Sequence, residues 1–150
     1  MSYLNVNSIR NKFNDIDLLL AKNVNVLCVS ETKIDSSFPD RQFVINGFKN
    51  PYRLDINSRS GGLLLYVSED IPSRQLNSIL IPSDIQLIPI ELNFRNRKWL
   101  YICIYRQPLL SLNYFLEHLS NVLDFYSMNY ENIIIMGDFN PNTGELDKLG

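Results

Sequence analysis

A chain of 150 residues carries 14 Lys and Arg against 16 Asp and Glu, a net charge of −2, with 45% hydrophobic and 20% charged residues. These proportions match an ordinary globular domain and exclude a disordered, collagenous or coiled-coil chain, and the length fits one domain over residues 1–150. The charge is not the strongly basic footprint of many nucleic-acid binders, although a local basic rim or a bound metal can do the same work. No run approaches the ~20 apolar residues of a membrane helix. Met1-Ser2-Tyr3-Leu4-Asn5 shows neither a basic stretch nor an apolar one of the secretory kind. The expected setting is therefore intracellular, cytoplasmic or nuclear, with no secretion. Cys28 and Cys103 each sit inside an apolar run and are expected as buried free thiols, not as a disulfide or zinc ligands.

Residues 2–7 read as a short strand. Ser8 is placed to cap a helix over about 8–22, with Ile9, Phe13, Ile16 and Leu20 on one stripe. The run VNVLCVS at 24–30 is β-branched and apolar, the pattern of a buried strand. Short extended pieces are expected at 43–45 and 48–53. Ser60-Gly61-Gly62 then breaks the chain before a strand at 63–68. Residues 85–94 and 99–106 flank the polar Arg95-Asn96-Arg97-Lys98, which predicts a hairpin with a basic tip. Leu112, Phe115, Leu119, Val122, Leu123 and Tyr126 form the apolar stripe of a helix over 111–128. A last buried strand, NIIIM at 132–136, runs into Gly137-Asp138-Phe139-Asn140. Strands and helices alternate as in a layered α/β domain with much hairpin character.

Polar residues interrupt apolar runs at three strand ends: Asn5 and Asn7, then Glu31, then Asp138 and Asn140. Loops beyond strand ends collect sites in α/β layers. Two carboxylates beside amides suit Mg²⁺, which takes oxygen ligands and keeps several waters. The same residues also serve as turn and cap formers, which bond to nearby backbone.

Five strings occur in order: LNVNSIRNK (4–12), VSETK (29–33), SGGLLLYV (60–67), IYRQP (104–108) and IMGDFN (135–140). Together they resemble the endonuclease/exonuclease/phosphatase superfamily, and more closely the apurinic-endonuclease-like domain of non-LTR (LINE-type) retrotransposon polyproteins. The resemblance implies a four-layer α/β sandwich, two mixed sheets face to face with helices outside. It implies Glu31 as the principal metal ligand, Asn5 as support for the metal and phosphate, and Asn7 as a weaker, neutral metal contact. It gives Tyr105 a contact with the scissile phosphate, with Gln107 standing where the family has a proline. Asp138 would orient or deprotonate the attacking water, and Asn140 would hold the phosphate. Arg53 and Arg59 precede Gly61-Gly62 and are candidates for contact with the DNA backbone.

The family closes on an Asp partner and a Ser-Asp-His, whereas this sequence ends ten residues after Asn140 and its single histidine, His118, falls in the 111–128 helix. The expectation is thus a domain with its C-terminal part missing. Its activity would be Mg²⁺-dependent (or Mn²⁺-dependent) DNA nicking, impaired by that loss. The competing readings are a non-catalytic remnant, and another phosphodiesterase of the superfamily acting on phosphoinositides or sphingomyelin. The expected partner is DNA, with no membrane, for a monomer able to associate through an exposed sheet edge.

Overall fold

Two four-stranded sheets account for the strands of the described residues in this computed structural model, which describes 1–14, 16, 23–77 and 79–140. The first sheet runs β1 (Ser2–Asn5), β2 (Val26–Ser30), β4 (Leu63–Val67), β3 (Tyr52–Leu54). The second runs β5 (Ser73–Gln75), β6 (Gln86–Phe94), β7 (Arg97–Tyr105), β8 (Asn132–Asp138). β1 lies parallel to β2 and β7 parallel to β8, while the remaining pairs are antiparallel. The sheets stack with β1 and β2 against β8.

The unbroken apolar runs of β2 and β4 follow from burial on both faces. Val26, Cys28, Leu63 and Leu65 face the second sheet, meeting Ile88, Ile90, Tyr101 and Cys103. Leu27, Val29, Leu64 and Tyr66 face outward beneath Ile9, Ile16, Phe43 and Ile45. Leu100, Ile102 and Ile104 of β7 lie under Phe115, Leu119 and Val122 of α1 (Leu112–Tyr126). Each such side chain contributes about 1.5–3 kcal/mol relative to exposure. Ser111 caps α1, its hydroxyl accepting from the Tyr114 N–H at 3.3 Å. The β6–β7 hairpin turns on Arg95 and Asn96, at φ 52° and 61°, the two positive values that a tight turn between twisted strands requires.

Several expectations are corrected. Ser8, at φ 88°, makes no side-chain cap, and the residues after it form a 3₁₀ turn, Ile9–Asn11. Phe13, Asn14 and Ile16 are helical, with Ile16 buried, and residues 15 and 17–22 of the expected 8–22 helix lie outside the described residues. Phe43 closes a 3₁₀ turn, Asp40–Phe43, and is not extended. β5 has no counterpart in the apolar pattern, because Ser73-Arg74-Gln75 is an edge strand held by its ladder to β6.

The cysteines are not free thiols. Cys28 and Cys103, 75 positions apart, are joined as a disulfide with their Cα atoms 5.9 Å apart. Both point into the space between the sheets, β2 supplying one and β7 the other, so stacking unites residues that sequence distance keeps apart. A disulfide persists in oxidising surroundings, and a reducing compartment would hold the same two sulfurs as thiols. Reduction is expected to lower unfolding free energy by about 2–4 kcal/mol, because the bridge restricts a long loop in the unfolded chain. Urea denaturation with and without dithiothreitol checks this, and coincident curves would contradict it.

Candidate active site

The parallel pairs β1–β2 and β7–β8 each end in polar residues, and stacking brings those ends together. Asn5 pairs in register with Ser30, one residue before Glu31, and Tyr105 pairs with Asp138. The two sheets are tied directly: the Tyr105 hydroxyl donates to Glu31 Oε1 at 2.5 Å. Asp138 and Glu31 both act electrostatically on Tyr105 and on Tyr3, so the two carboxylates surround the same pair of phenols.

The loops at these ends are locally constrained. Asn5 Oδ1 accepts from the Asn7 N–H at 3.1 Å, and Asp138 Oδ1 accepts from the Asn140 N–H at 2.7 Å, each an Asx-type turn. The Ser8 N–H donates to the Glu31 carbonyl at 2.8 Å and that of Ile9 to Thr32 at 3.0 Å, fastening the β1 exit to the β2 exit. Asn7, Ser8, Glu31, Lys33 and Asn140 all hold positive φ, between 46° and 88°. Non-glycine residues in that region are uncommon, and such strain gathers at functional sites.

Asn5 is exposed, Glu31, Asp138 and Asn140 are half-buried, and Tyr105 is buried. Burial, followed by the bond to Glu31, raises the Tyr105 phenol, which leaves it a neutral donor. Asn7 is differently engaged, its Oδ1 accepting from the Lys33 ammonium. A cation on that oxygen opposes a metal ion there. Arg53 is likewise committed, donating to Asp55 at 2.8 Å, to Asp40 at 3.0 Å and to the Asp35 carbonyl, with its guanidinium over Phe43. Arg59 is exposed, beside Ser58, whose carbonyl accepts from Arg10 at 3.2 Å.

Tyr3, Ser30, Lys33 and Arg106 escaped the residue-level reading. The Tyr3 and Ser30 hydroxyls are 2.5 Å apart, and Tyr3 shares the face of β1 that carries Asn5. The available signal was that two-residue spacing on a strand. Arg106 gave a signal too, as a charge directly after the apolar strand ending in Tyr105.

Burial pushes the Tyr3 phenol up to about 12 and raises those of Tyr66, Tyr101 and Tyr105. Unfolded tyrosines lose their protons near pH 10 while these folded ones keep them. Their contribution to stability is therefore complete below pH 10 and declines as the pH rises from there through 12. The urea midpoint is expected to fall across this window, with a shallower fall in Tyr3→Phe; a midpoint flat to pH 12 would contradict the burial.

As ligands, the site offers oxygens alone: two carboxylates and the amides of Asn5 and Asn140. Glu31 uses Oε1 on Tyr105 and has its second oxygen for a cation. Among the described residues no group of three or more His, Cys, Asp or Glu could hold a metal. An oxygen set with two carboxylates fits Mg²⁺ with much of its water retained, and does not fit a soft transition metal.

Residues 3–140 match the model of the Endonuclease/Exonuclease/phosphatase family. Among curated proteins, none is similar enough in sequence to count as a relative. Solved structures share the fold. The endonuclease domain of TRAS1, a telomere-specific non-LTR retrotransposon, superposes with a TM-score of 0.70 at 14% identity, over 95% of this chain and 59% of that one. A 3' phosphatase, NExo, from Neisseria bound to product DNA hairpin gives 0.62 at 19% identity, over 92% and 56%. An AP endonuclease from Archaeoglobus fulgidus gives 0.59 at 20% identity, over 92% and 56%. The chain thus spans somewhat more than half the length of these structures.

Proposed function

The chain belongs to the endonuclease/exonuclease/phosphatase family, and on that premise we propose that its site hydrolyses phosphodiester bonds in DNA with Mg²⁺ or Mn²⁺, as the nicking domain of a retrotransposon polyprotein. The observation that supports this most is the Tyr105–Glu31 contact between the sheets, with Asp138 paired beside Tyr105. It supports the reading because a phenol O–H and two carboxylates lie around one point.

A phosphodiester resists attack because it is anionic. A metal bound at Glu31 would neutralise part of that charge. The residues themselves do the rest. The Asp138 carboxylate, oriented by the Asn140 main-chain N–H on Oδ1 and by the Tyr3 hydroxyl, would take a proton from water. The Asn140 side-chain amide would donate to a phosphate oxygen, and the Tyr105 hydroxyl would turn its one proton from Glu31 to the phosphate as substrate binds. Arg59 is exposed in the loop before Gly61-Gly62 and would meet the backbone of a bound strand. His118, the sole histidine, packs against the Tyr114 ring at 4.6 Å on α1 and serves no phosphate.

Plasmid nicking in Mg²⁺ tests the reading, with titration calorimetry of Mg²⁺ alongside. Metal binding is expected to be weak, and Glu31→Gln should abolish most of it together with nicking. Tight binding that survives Glu31→Gln would overturn the assignment. A well-folded chain that binds Mg²⁺ yet never nicks DNA would favour a non-catalytic remnant.

A further inference from the structure

Arg106 is fully buried and is among the largest of the buried side chains. A charge of this size withdrawn from water is held by what it donates to, and here the recipients are main-chain carbonyls around the end of β8. Nε donates to Phe139 O at 2.5 Å, Nη2 to Asn140 O, and Nη1 to Leu110 O in the turn after β7. The Arg106 N–H donates to Asp138 O at 2.9 Å, which carries the β7–β8 ladder one step further. One residue therefore grips three consecutive peptides, 138, 139 and 140, and joins two of them to the neighbouring loop.

Those peptides carry the proposed chemistry. Asn140 sits at φ 48°, off the strand path, and its main-chain N–H donates to Asp138 Oδ1. The turn holds Asp138 Oδ1, and the bend at Asn140 sets the direction in which its side-chain amide leaves the backbone. The planar guanidinium fork can satisfy carbonyls in several directions at once, which a lysine ammonium on a flexible stem does not reproduce.

We propose that Arg106 is a positioning residue, whose clamp on the Phe139, Asn140 and Leu110 carbonyls sets the direction in which Asp138 and Asn140 face the substrate phosphate. Arg106 itself touches no substrate, being sealed from solvent. The proposal rests on the phosphodiesterase reading for its consequence in turnover, and on geometry alone for the clamp.

Two measurements separate these. In the unaltered chain, NMR exchange of the Arg106 Nε–H and of the Asn140 amide is expected to be at least 10²-fold slower than in an open peptide. Fast exchange of either overturns the clamp, whether or not the chain nicks DNA and whether or not variants fold. Plasmid nicking then tests the consequence. Arg106→Lys is expected to lower kcat about 10–100-fold with KM changed less than threefold, and to cost at least threefold less when Asn140→Ala is already present, the remainder being the share that acts through Asp138. An equal loss in both backgrounds would mean that Arg106 merely supports the fold, and overturns the positioning role. If the unaltered chain shows slow exchange but no nicking, the phosphodiesterase reading fails by itself. The clamp is then judged by the Asn140 amide in Arg106→Lys, where unchanged protection overturns it.

Discussion

Asp138→Asn is expected to lower the rate of Mg²⁺-dependent plasmid nicking about 10²–10⁴-fold while leaving the melting temperature nearly unchanged. The asymmetry comes from the turn at the end of β8. The role of Asp138 in the fold is to accept the Asn140 N–H through Oδ1, and a carboxamide oxygen accepts that bond equally well. Its register with Tyr105 is a main-chain property and is also kept. Asparagine lacks the capacity to take a proton and the negative charge that accompanies it. A drop in rate at constant stability therefore isolates proton transfer from architecture. Circular-dichroism melting beside single-turnover nicking makes the separation, and nicking within threefold of the unaltered chain would remove Asp138 from the proton-accepting role.

The fold was most legible where burial writes itself as pattern. β2 and β4 read directly from apolar runs, and α1 from its single stripe, because each packs against a layer. β8 is the expected strand but not a buried one, since it lies at the edge of its sheet with Ile133 and Ile135 exposed. Legibility failed where structure depends on a partner rather than on the local run. Ser73–Gln75 is a strand only because β6 offers it a ladder. Phe43 is drawn into a 3₁₀ turn by the cluster it fills and by Arg53, which covers its ring. The Cys28–Cys103 bond joins sheets whose stacking no local signal reports.

The site divided in the same way. Asn5, Glu31, Tyr105, Asp138 and Asn140 were found through short strings at strand ends, and the structure brings them to one end of the stacked sheets. Asn7 and Arg53 belonged to the same set of candidates, yet each is occupied by a charged neighbour: Lys33 on one, Asp40 and Asp55 on the other. Such pairing depends on loops meeting in space. Tyr3 and Arg106 carried only the spacing with Asn5 and a charge directly after an apolar strand, signals that name no chemistry.

Gly137→Ala is expected to be the most damaging glycine-to-alanine change among the described residues, costing more than about 4 kcal/mol and nearly all nicking. Gly137 lies in β8 at φ 151°, and a Cβ there would stand 1.9 Å from the Ile104 carbonyl oxygen. That oxygen cannot retreat. Ile104 is paired with Gly137 in the parallel ladder, and its side chain is fully buried beneath α1. Relief must then come from β8, whose next residue is Asp138. A shift of even 1 Å there moves the carboxylate away from Tyr105 and Glu31, and misplacement on that scale can cost 10²-fold in rate. Gly47→Ala gives the comparison, since its φ of 87° is also unfavourable but nothing lies within 4 Å of the added carbon. Only the backbone penalty applies at that position, about 1–2 kcal/mol, and nicking should persist. Urea denaturation of both variants, with nicking measured under conditions where each is folded, tests the contrast. Equal stability losses in the two would show that β8 accommodates the methyl group. The glycine of Gly137-Asp138-Phe139-Asn140 would then lack the steric role assigned to it.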